Sequence, residues 1–343
     1  MSLLPIARGR PARSPDYRIS LQGQAITPRL RGRVESLRLT DRRGLEADQL
    51  DLVLTDDDGA LALPPRGAEL TLAIGWRGEP LTERGTFIVD EVEHSGAPDR
   101  LRIRARSADM RGSLPGKRTQ SWHKLTVEDI VTTIAKRHEL TPKVGRNLAG
   151  IRVAHIDQTD ESDLNFLTRL AERYDAVATV KAGNLLFIPA GTATTASGLE
   201  IAPVQIRRQD GDQHRYVVSD RDSYTGVIAY WNDVSGAERK EVIAGSDENP
   251  KRLRPTYASA DDALAAATSE WQRIQRGHAE FSLDLAEGRA DIYPETPAWL
   301  IGWKPEVEQT PWLLTEVTHS LSGSAYTASL QFEIRNTDAL PPY

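Results

Sequence analysis

Apolar and polar residues alternate with period two along Arg33–Thr40 (RVESLRLT) and Gln49–Thr55 (QLDLVLT), which predicts two strands with one buried face each. Between Leu54 and Leu61, the run Thr-Asp-Asp-Asp-Gly has the composition of a hairpin turn, because Asp and Gly tolerate turn geometry. Leu70, Leu72, Ile74 and Trp76 fall on one face of a further strand, and Phe87–His94 and Leu101–Ala105 add two more. Several short strands joined by turns predict a small barrel or sandwich.

The pattern changes after Gly112-Ser113-Leu114-Pro115-Gly116, a Pro/Gly punctuation that predicts a domain boundary. Thr126, with Asp129 three residues on, predicts a capped helix whose apolar stripe is Val127, Ile130, Val131 and Ile134. Gly150–Ile156 reads as a strand. A second helix is predicted from near Asp160 to about Tyr174, with Leu164, Leu167, Leu170, Ala171 and Tyr174 at helical spacing. A hairpin follows, Ala176–Val180 and Leu185–Ile188 about Ala182-Gly183-Asn184, closing an α+β unit near residue 200. Strands then resume. Gly226–Trp231 and Arg239–Ile243 read as a hairpin around Val234-Ser235-Gly236. Ser259 caps a helix with Asp262 at the third position and Leu264, Ala267, Trp271 and Ile274 as its stripe. Four strands close the chain: Phe281–Leu285, Trp299–Trp303, Trp312–His319 and Tyr326–Ile334.

An internal repeat organises these elements. LTLAIGWR ends at Arg77 and PAWLIGWK at Lys304; FIVDEVEHS (Phe87–Ser95) and WLLTEVTHS (Trp312–Ser320) follow them. Each unit reads Ile-Gly-Trp-basic, a variable loop, an aromatic, two aliphatics and Glu-Val-x-His-Ser. The signature positions are Ile74, Gly75, Trp76, Glu91 and His94 in the first copy. In the second they are Ile301, Gly302, Trp303, Glu316 and His319. Matching the Ile-Gly-Trp motifs equates Leu72, Ile74 and Trp76 with Trp299, Ile301 and Trp303, and predicts that both copies bury the same face. The expected fold is mainly β with α+β insertions: two similar small tube-like β-barrel domains, residues 1–115 and 201–343, and an α+β domain, 116–200, between them. A helix-containing insertion is expected at about 245–290 of the second. Two like domains per chain would give a ring of six if three chains assemble about an axis.

Composition narrows the chemistry. The 343 residues contain no cysteine, which excludes a disulfide scaffold, a thiol enzyme and a Cys-based metal site. With 43 Lys+Arg against 49 Asp+Glu, the net charge is -6. No apolar run approaches the ~18 residues of a membrane span, so no direct membrane insertion is expected, and no secretory leader pattern opens the chain. Residues 1–33 nevertheless carry Arg8, Arg10, Arg13, Arg18, Arg29, Arg31 and Arg33 against Asp16, a basic segment suited to nucleic acid or an acidic partner, or to solvent or a neighbouring subunit; no aromatic interleaving or nucleic-acid motif accompanies it. None of the catalytic or nucleotide-binding motifs HExxH, GxSxG, GxGxxG or P-loop is present. His94 and His319 share a repeat position, which points to a shared packing or hydrogen-bonding role. His155 beside Asp157 on a strand is a weak acid–base hint, and Asp210-Gly211-Asp212 and Asp220-Arg221-Asp222 lack the ligand spacing of a calcium loop. No catalytic residue, cofactor or metal is expected.

DQTDESDLNFLTRLAERYDA (Asp157–Ala176) carries Glu161, Ser162, Asp163, Phe166, Arg169 and Leu170. Glu161 and Asp163 are expected in the first helical turn, where the dipole favours anions. This Glu-Ser-Asp-x-x-Phe-x-x-Arg-Leu helix resembles that of the late control protein D family of contractile-tailed phages. The family's relatives are the VgrG hubs of secretion systems and the hubs of R-type pyocins. SADMRGSLPGKRTQSW (Ser107–Trp122) and the closing WLLTEVTHSLSGSAYTASLQFEI are also similar to that family. The resemblance implies a non-enzymatic structural protein made in the host cytoplasm and built into a virion tail or pyocin-like particle. It implies a homotrimer, pseudo-sixfold, joining a hexameric tail tube to a trimeric central spike. Baseplate wedge proteins are further implied partners, with a tape-measure protein passing through the channel. Because the sequence stops at Tyr343 with no needle module, the spike is expected to be a separate polypeptide. The alternatives are a tail-associated peptidoglycan hydrolase, for which no ~100-residue stretch is free, and a carbohydrate-binding tail module, which would expose aromatics in loops.

Overall fold

Alternating stretches pair into sheet wherever a buried face is available on both sides of the ladder. The computed structural model describes residues 13–108, 116–181, 183–218, 224–233 and 236–336. The first elements are β1 (Pro15–Leu21), β2 (Gln24–Ala25), α1 (Thr27–Leu30), β3 (Val34–Arg42), β4 (Gln49–Thr55), β5 (Glu69–Trp76), β6 (Thr82–Ser95) and β7 (Arg100–Ser107). Every second residue of β4 (Leu50, Leu52 and Leu54) is buried, and they share one core with Leu37, Leu39, Leu70, Leu72, Phe87 and Val89. The Asp/Gly run after β4 turns the chain, with Leu61 N–H donating to Asp56 Oδ1 at 2.9 Å, but it does not close a hairpin. β4 lies between β3 and β7, while β5 pairs with β1 and β6. Turn chemistry is local; the choice of ladder partner is made by the core.

The middle of the chain holds β8 (Lys117–Thr126), α2 (Val127–Arg137), β9 (Thr141–Val144), α3 (Arg146–Ala149), β10 (Arg152–Ser162), α4 (Asp163–Arg173), β11 (Ala176–Lys181) and β12 (Asn184–Pro189). The expected boundary at Gly112–Pro115 lies outside the described residues. Thr126 and Asp129 form a full capping box, and Val127, Ile130, Val131 and Ile134 are all fully buried. They pack with Phe166, Leu167 and Leu170 of α4 in a second core. Leu164, placed on that stripe by its spacing, is only partly buried at the core's edge.

The last segment holds β13 (Val204–Arg207), β14 (Gly211–Val218), β15 (Gly226–Asp233), β16 (Glu238–Gly245), β17 (Pro250–Tyr257), α5 (Ala260–Arg276), β18 (Ala279–Leu285), β19 (Pro297–Ile301), α6 (Pro305–Glu308), β20 (Trp312–Ser322) and β21 (Ala325–Ile334). Strands β15, β16 and β17 form their own three-stranded sheet, closed by α5 over a small core of Val227, Ala229, Ala263 and Ala267. The inserted unit therefore spans Gly226–Arg276. The expected 245–290 misplaces both ends, because the Gly226 hairpin pairs with β17 rather than with the large sheet, and β18 returns to it. Ser259 does cap α5, accepting from Asp262 N–H. Leu264, however, is 46% exposed, since the buried face runs through Ala263 and Ala267.

The remaining strands join one 13-stranded sheet whose order shows the duplication. The first set reads β3-β4-β7-β6-β5-β1 and the second β14-β18-β21-β20-β19-β13. The sets differ at one joint: β1 is antiparallel to β5, and β13 is parallel to β19. Even the irregularities repeat. The β6–β7 ladder bulges between Val89 and Glu91, and the β20–β21 ladder between Leu314 and Glu316.

Candidate functional site

The two sets meet inside the chain, where β20 pairs antiparallel with β3 over six residues, from Glu316 opposite Arg42 to Leu321 opposite Leu37. Alternation decides which side chains this joint buries. Val317, His319 and Leu321 point with Leu37, Leu39 and Asp41 into the interior, and all six are buried. On the other face Thr40 and Thr318 hydroxyls meet at 3.2 Å, and Arg42 Nε donates to Glu316 Oε2 at 3.0 Å. Arg84 from β6 reaches this interior, pairing with buried Asp41 and donating to the carbonyl of Ala290 at 3.0 Å. Burial, against the opposing Arg84 charge, pushes the Asp41 carboxyl up. The Tyr326 hydroxyl lies 3.0 Å from His319 Nδ1. Burial first, and the Arg84 charge second, hold His319 well below the usual imidazole value, so it stays neutral. Nothing in the local sequence pattern marks Arg84, Asp41 or Tyr326; only the long-range ladder brings them together.

The signature residues do not occupy equal environments. His319 is 0% exposed, whereas the His94 side chain is 41% exposed, 3.5 Å from Asp56. Within the single chain the two histidines are therefore not packed alike. The shared burial face is overturned. Leu72 and Ile74 are fully buried, but Trp299 is 57% and Ile301 42% exposed. The ladders show why. Leu70 stands opposite Phe87 and Ala298 opposite Trp312, so Thr71 is the counterpart of Trp299 and Leu72 that of Leu300. Matching the Ile-Gly-Trp motifs slips the true register by one residue, which inverts the faces. Gly75 lies within β5, while Gly302 follows the end of β19 with φ +92, a conformation that glycine alone adopts without strain. The Gly302 and Trp303 N–H groups both donate to Glu308 Oε1, and Trp303 swings into the second set's core against Phe281. Trp76 is buried, its indole N–H donating to the Gly288 carbonyl at 3.0 Å. Glu91 lies exposed on β6, paired with Arg104 at 2.8 Å.

The helix motif is a structural knot. Glu161 belongs to β10, not to the first helical turn, because Ser162 is the cap, accepting from Asn165 N–H at 3.1 Å. Glu161 holds Arg169 instead, at 2.7 Å. Asp163 is 0% exposed and accepts from Arg137 at 2.9 Å, Gln158 at 2.8 Å and His138 at 2.7 Å, with Arg118 at 3.3 Å. Burial alone would raise its carboxyl; the hydrogen bonds from Gln158, His138 and Arg137 outweigh it and hold the group below the usual range. Phe166 stacks on Trp122 with centroids 5.6 Å apart, and Leu170 is fully buried.

His155 and Asp157 meet at 3.1 Å on an exposed strand face, stacked against His123. Among the described residues no group of three or more His, Cys, Asp or Glu could hold a metal. Asp220 and Asp222 lie outside them, as do Arg8 and Arg10. Arg13, Arg18 and Arg33 are paired with Glu79, Glu83 and Asp58.

What the geometry defines is a duplicated strand scaffold whose described polar clusters serve packing. The 43 kDa tail protein of prophage MuSo2 from Shewanella oneidensis has the same fold, with a TM-score of 0.69 at 16% identity over 93% of this chain and 98% of that one. The E. coli c3393 protein is described as a type VI secretion component with structural similarity to the T4 tail proteins gp27 and gp5. It aligns at TM-score 0.54 and 16% identity, covering 93% of this chain and 77% of that one. Residues 42–325 match the family described as "Phage tail baseplate hub (GPD)". A "Probable baseplate hub protein" of Escherichia phage P2 is 44% identical over 365 aligned positions, covering 95% of this chain and 94% of that one. The chain belongs to the phage tail baseplate hub family, whose members are structural proteins and not enzymes.

Proposed function

We propose that this hub protein is a symmetry adaptor: a homotrimer whose two strand sets per chain make a six-part ring about one channel. The supporting observation is the duplicated strand order, β3-β4-β7-β6-β5-β1 and β14-β18-β21-β20-β19-β13, within one chain. A hexameric tube offers six equivalent edges, and two like sets in each of three chains supply six docking surfaces. The other side keeps threefold symmetry for a trimeric central spike. On this reading residues 1–115 and 201–343 are the two tube-like domains, 116–200 is the α+β domain, and Gly226–Arg276 interrupts the second. Baseplate wedge proteins contact the outside, a tape-measure protein passes through the channel, and the chain is made in the host cytoplasm before joining the virion tail. The test is native mass measurement of the purified chain together with imaging of assembled tails. Three chains per ring, with six strand sets around the channel, are expected; any other number overturns the adaptor.

A further inference from the structure

The joint between the two strand sets has a second, unfilled version on the same chain. In the filled joint, the second half of β20 lends its edge to β3. The counterpart of β20 is β6 and the counterpart of β3 is β14, by strand order and by the matching bulges. Just ahead of the joint, Leu314 exchanges backbone hydrogen bonds with residues 295–296, and Val89 does the same with residues 67–68. Beyond Val89 that edge of β6 pairs with no strand of the described residues, and β14 ends the sheet with one neighbour, β18. Both edges belong to one chain, yet they stand at opposite ends of the duplicated array.

We infer that the edge of β6 from Glu91 to Ser95 pairs antiparallel with β14 of a second copy of this chain, and that this is the joint between subunits. The inference rests on the ring proposed above and specifies how it closes. The ladders transfer the register. Leu37 opposite Leu52 corresponds to His214 opposite Leu283, so Leu39 matches Tyr216 and Thr40 matches Val217. The in-chain pairs Val317/Asp41, Thr318/Thr40, His319/Leu39 and Ser320/Arg38 then become Val92/Val218, Glu93/Val217, His94/Tyr216 and Ser95/Arg215 between copies.

Three further observations fit this occupant. Positions buried in the filled joint are open in the unfilled one: His319 against His94, and Asp41 against Val218, an apolar residue left 51% exposed on an edge strand. An uncovered edge with an apolar side chain is a site for strand addition. The charges are compatible, with Glu93 on the β6 edge diagonal to Arg215 on β14 and on the same face of the joint. Finally, the contact is head to tail, since each chain offers one edge of each kind, and such contacts generate rings when the rotation closes.

Because the chain has no cysteine, an engineered pair reports the joint alone. Thr40 and Thr318 touch across the filled joint, so their counterparts Glu93 and Val217 should be within disulfide reach between copies. Under oxidation, E93C/V217C is expected to shift from the one-chain mass to covalent two- and three-chain species that dithiothreitol reverses. T40C/T318C should close within a chain without a mass shift, and E93C/Y216C, which places the thiols on opposite faces, should stay at one-chain mass. A three-chain native mass with no E93C/V217C cross-link, while T40C/T318C closes, overturns this joint and leaves the trimer standing. Cross-linking of E93C/Y216C in place of E93C/V217C overturns the register. A purified chain and assembled tails that both lack a three-chain species overturn the ring and this joint with it.

Discussion

At the scale of single residues, Asp163 does the most with the least exposure. It touches no solvent, yet it gathers Arg137 and His138 from the end of α2, Arg118 from β8 and Gln158 from β10 around the start of α4. Removing one partner of such a buried set leaves charges uncompensated, which costs about 3–5 kcal/mol. Asp163→Asn is expected to lose stability on that scale in urea titrations at neutral pH. The sign with pH follows from the lowered carboxyl. Its stabilisation is present above the unfolded carboxylate range of about 3.9 and is lost as pH falls through the folded value. The variant should therefore approach the wild type in strongly acid solution. A variant as stable as wild type at pH 7 would show that the cluster is solvated.

At the scale of elements, the helices and the local hairpins β11–β12 and β15–β16 were legible from sequence, and the long-range strand partners were not. Thr126-x-x-Asp129 and Ser162 carry their helix starts in their own hydrogen-bonding chemistry, and the structure uses both. Of the expected α5 stripe, Ala267, Trp271 and Ile274 pack in the small core, while Leu264 faces outward because Ala263, small and only weakly apolar, takes the buried face beside it. The repeat was visible as Glu-Val-x-His-Ser. Its register in β19 was not, because Gly302 ends that strand by a turn stabilised through Glu308, which lies six residues downstream. These corrections separate two otherwise similar substitutions. Leu264→Asp is expected to change stability by less than about 0.5 kcal/mol, as exposed sites do. Leu167→Asp, at a fully buried position against α2, should unfold the middle unit, since an unpaired buried charge costs several kcal/mol. Circular dichroism melts of the two variants check the pair. Equal melting temperatures would mean that α4 does not pack as described.

At the scale of the whole molecule, a buried ionic network joins the parts alongside the β3–β20 ladder and the cores they share. Arg43 at the end of β3 pairs with Glu295 at 3.2 Å and with Glu333 of β21; Arg276 at the end of α5 pairs with Asp175 after α4 and lies 3.3 Å from Glu333. The network so joins the first strand set, the second, the inserted unit and the middle unit. Three acids share two arginines, and one acid is left poorly compensated. Burial first, with the Glu333 charge adding and Arg43 opposing, pushes Glu295 up to about 7. A raised carboxyl means that the folded chain holds the proton more tightly than the unfolded chain, whose value is 4.5. Stability from this group is then fullest below pH 4.5 and is lost as pH rises towards 7, the reverse of the Asp163 case. Glu295→Gln keeps an oxygen for Arg43 and removes the titration. Urea midpoints measured at pH 5 and pH 7.5 should show the variant gaining on the wild type as the pH rises, because only the wild type must ionise a buried acid. A difference that stays constant between the two pH values would mean that Glu295 is charged throughout, and that the contact between the strand sets is an ordinary ion pair rather than a proton-sensitive one.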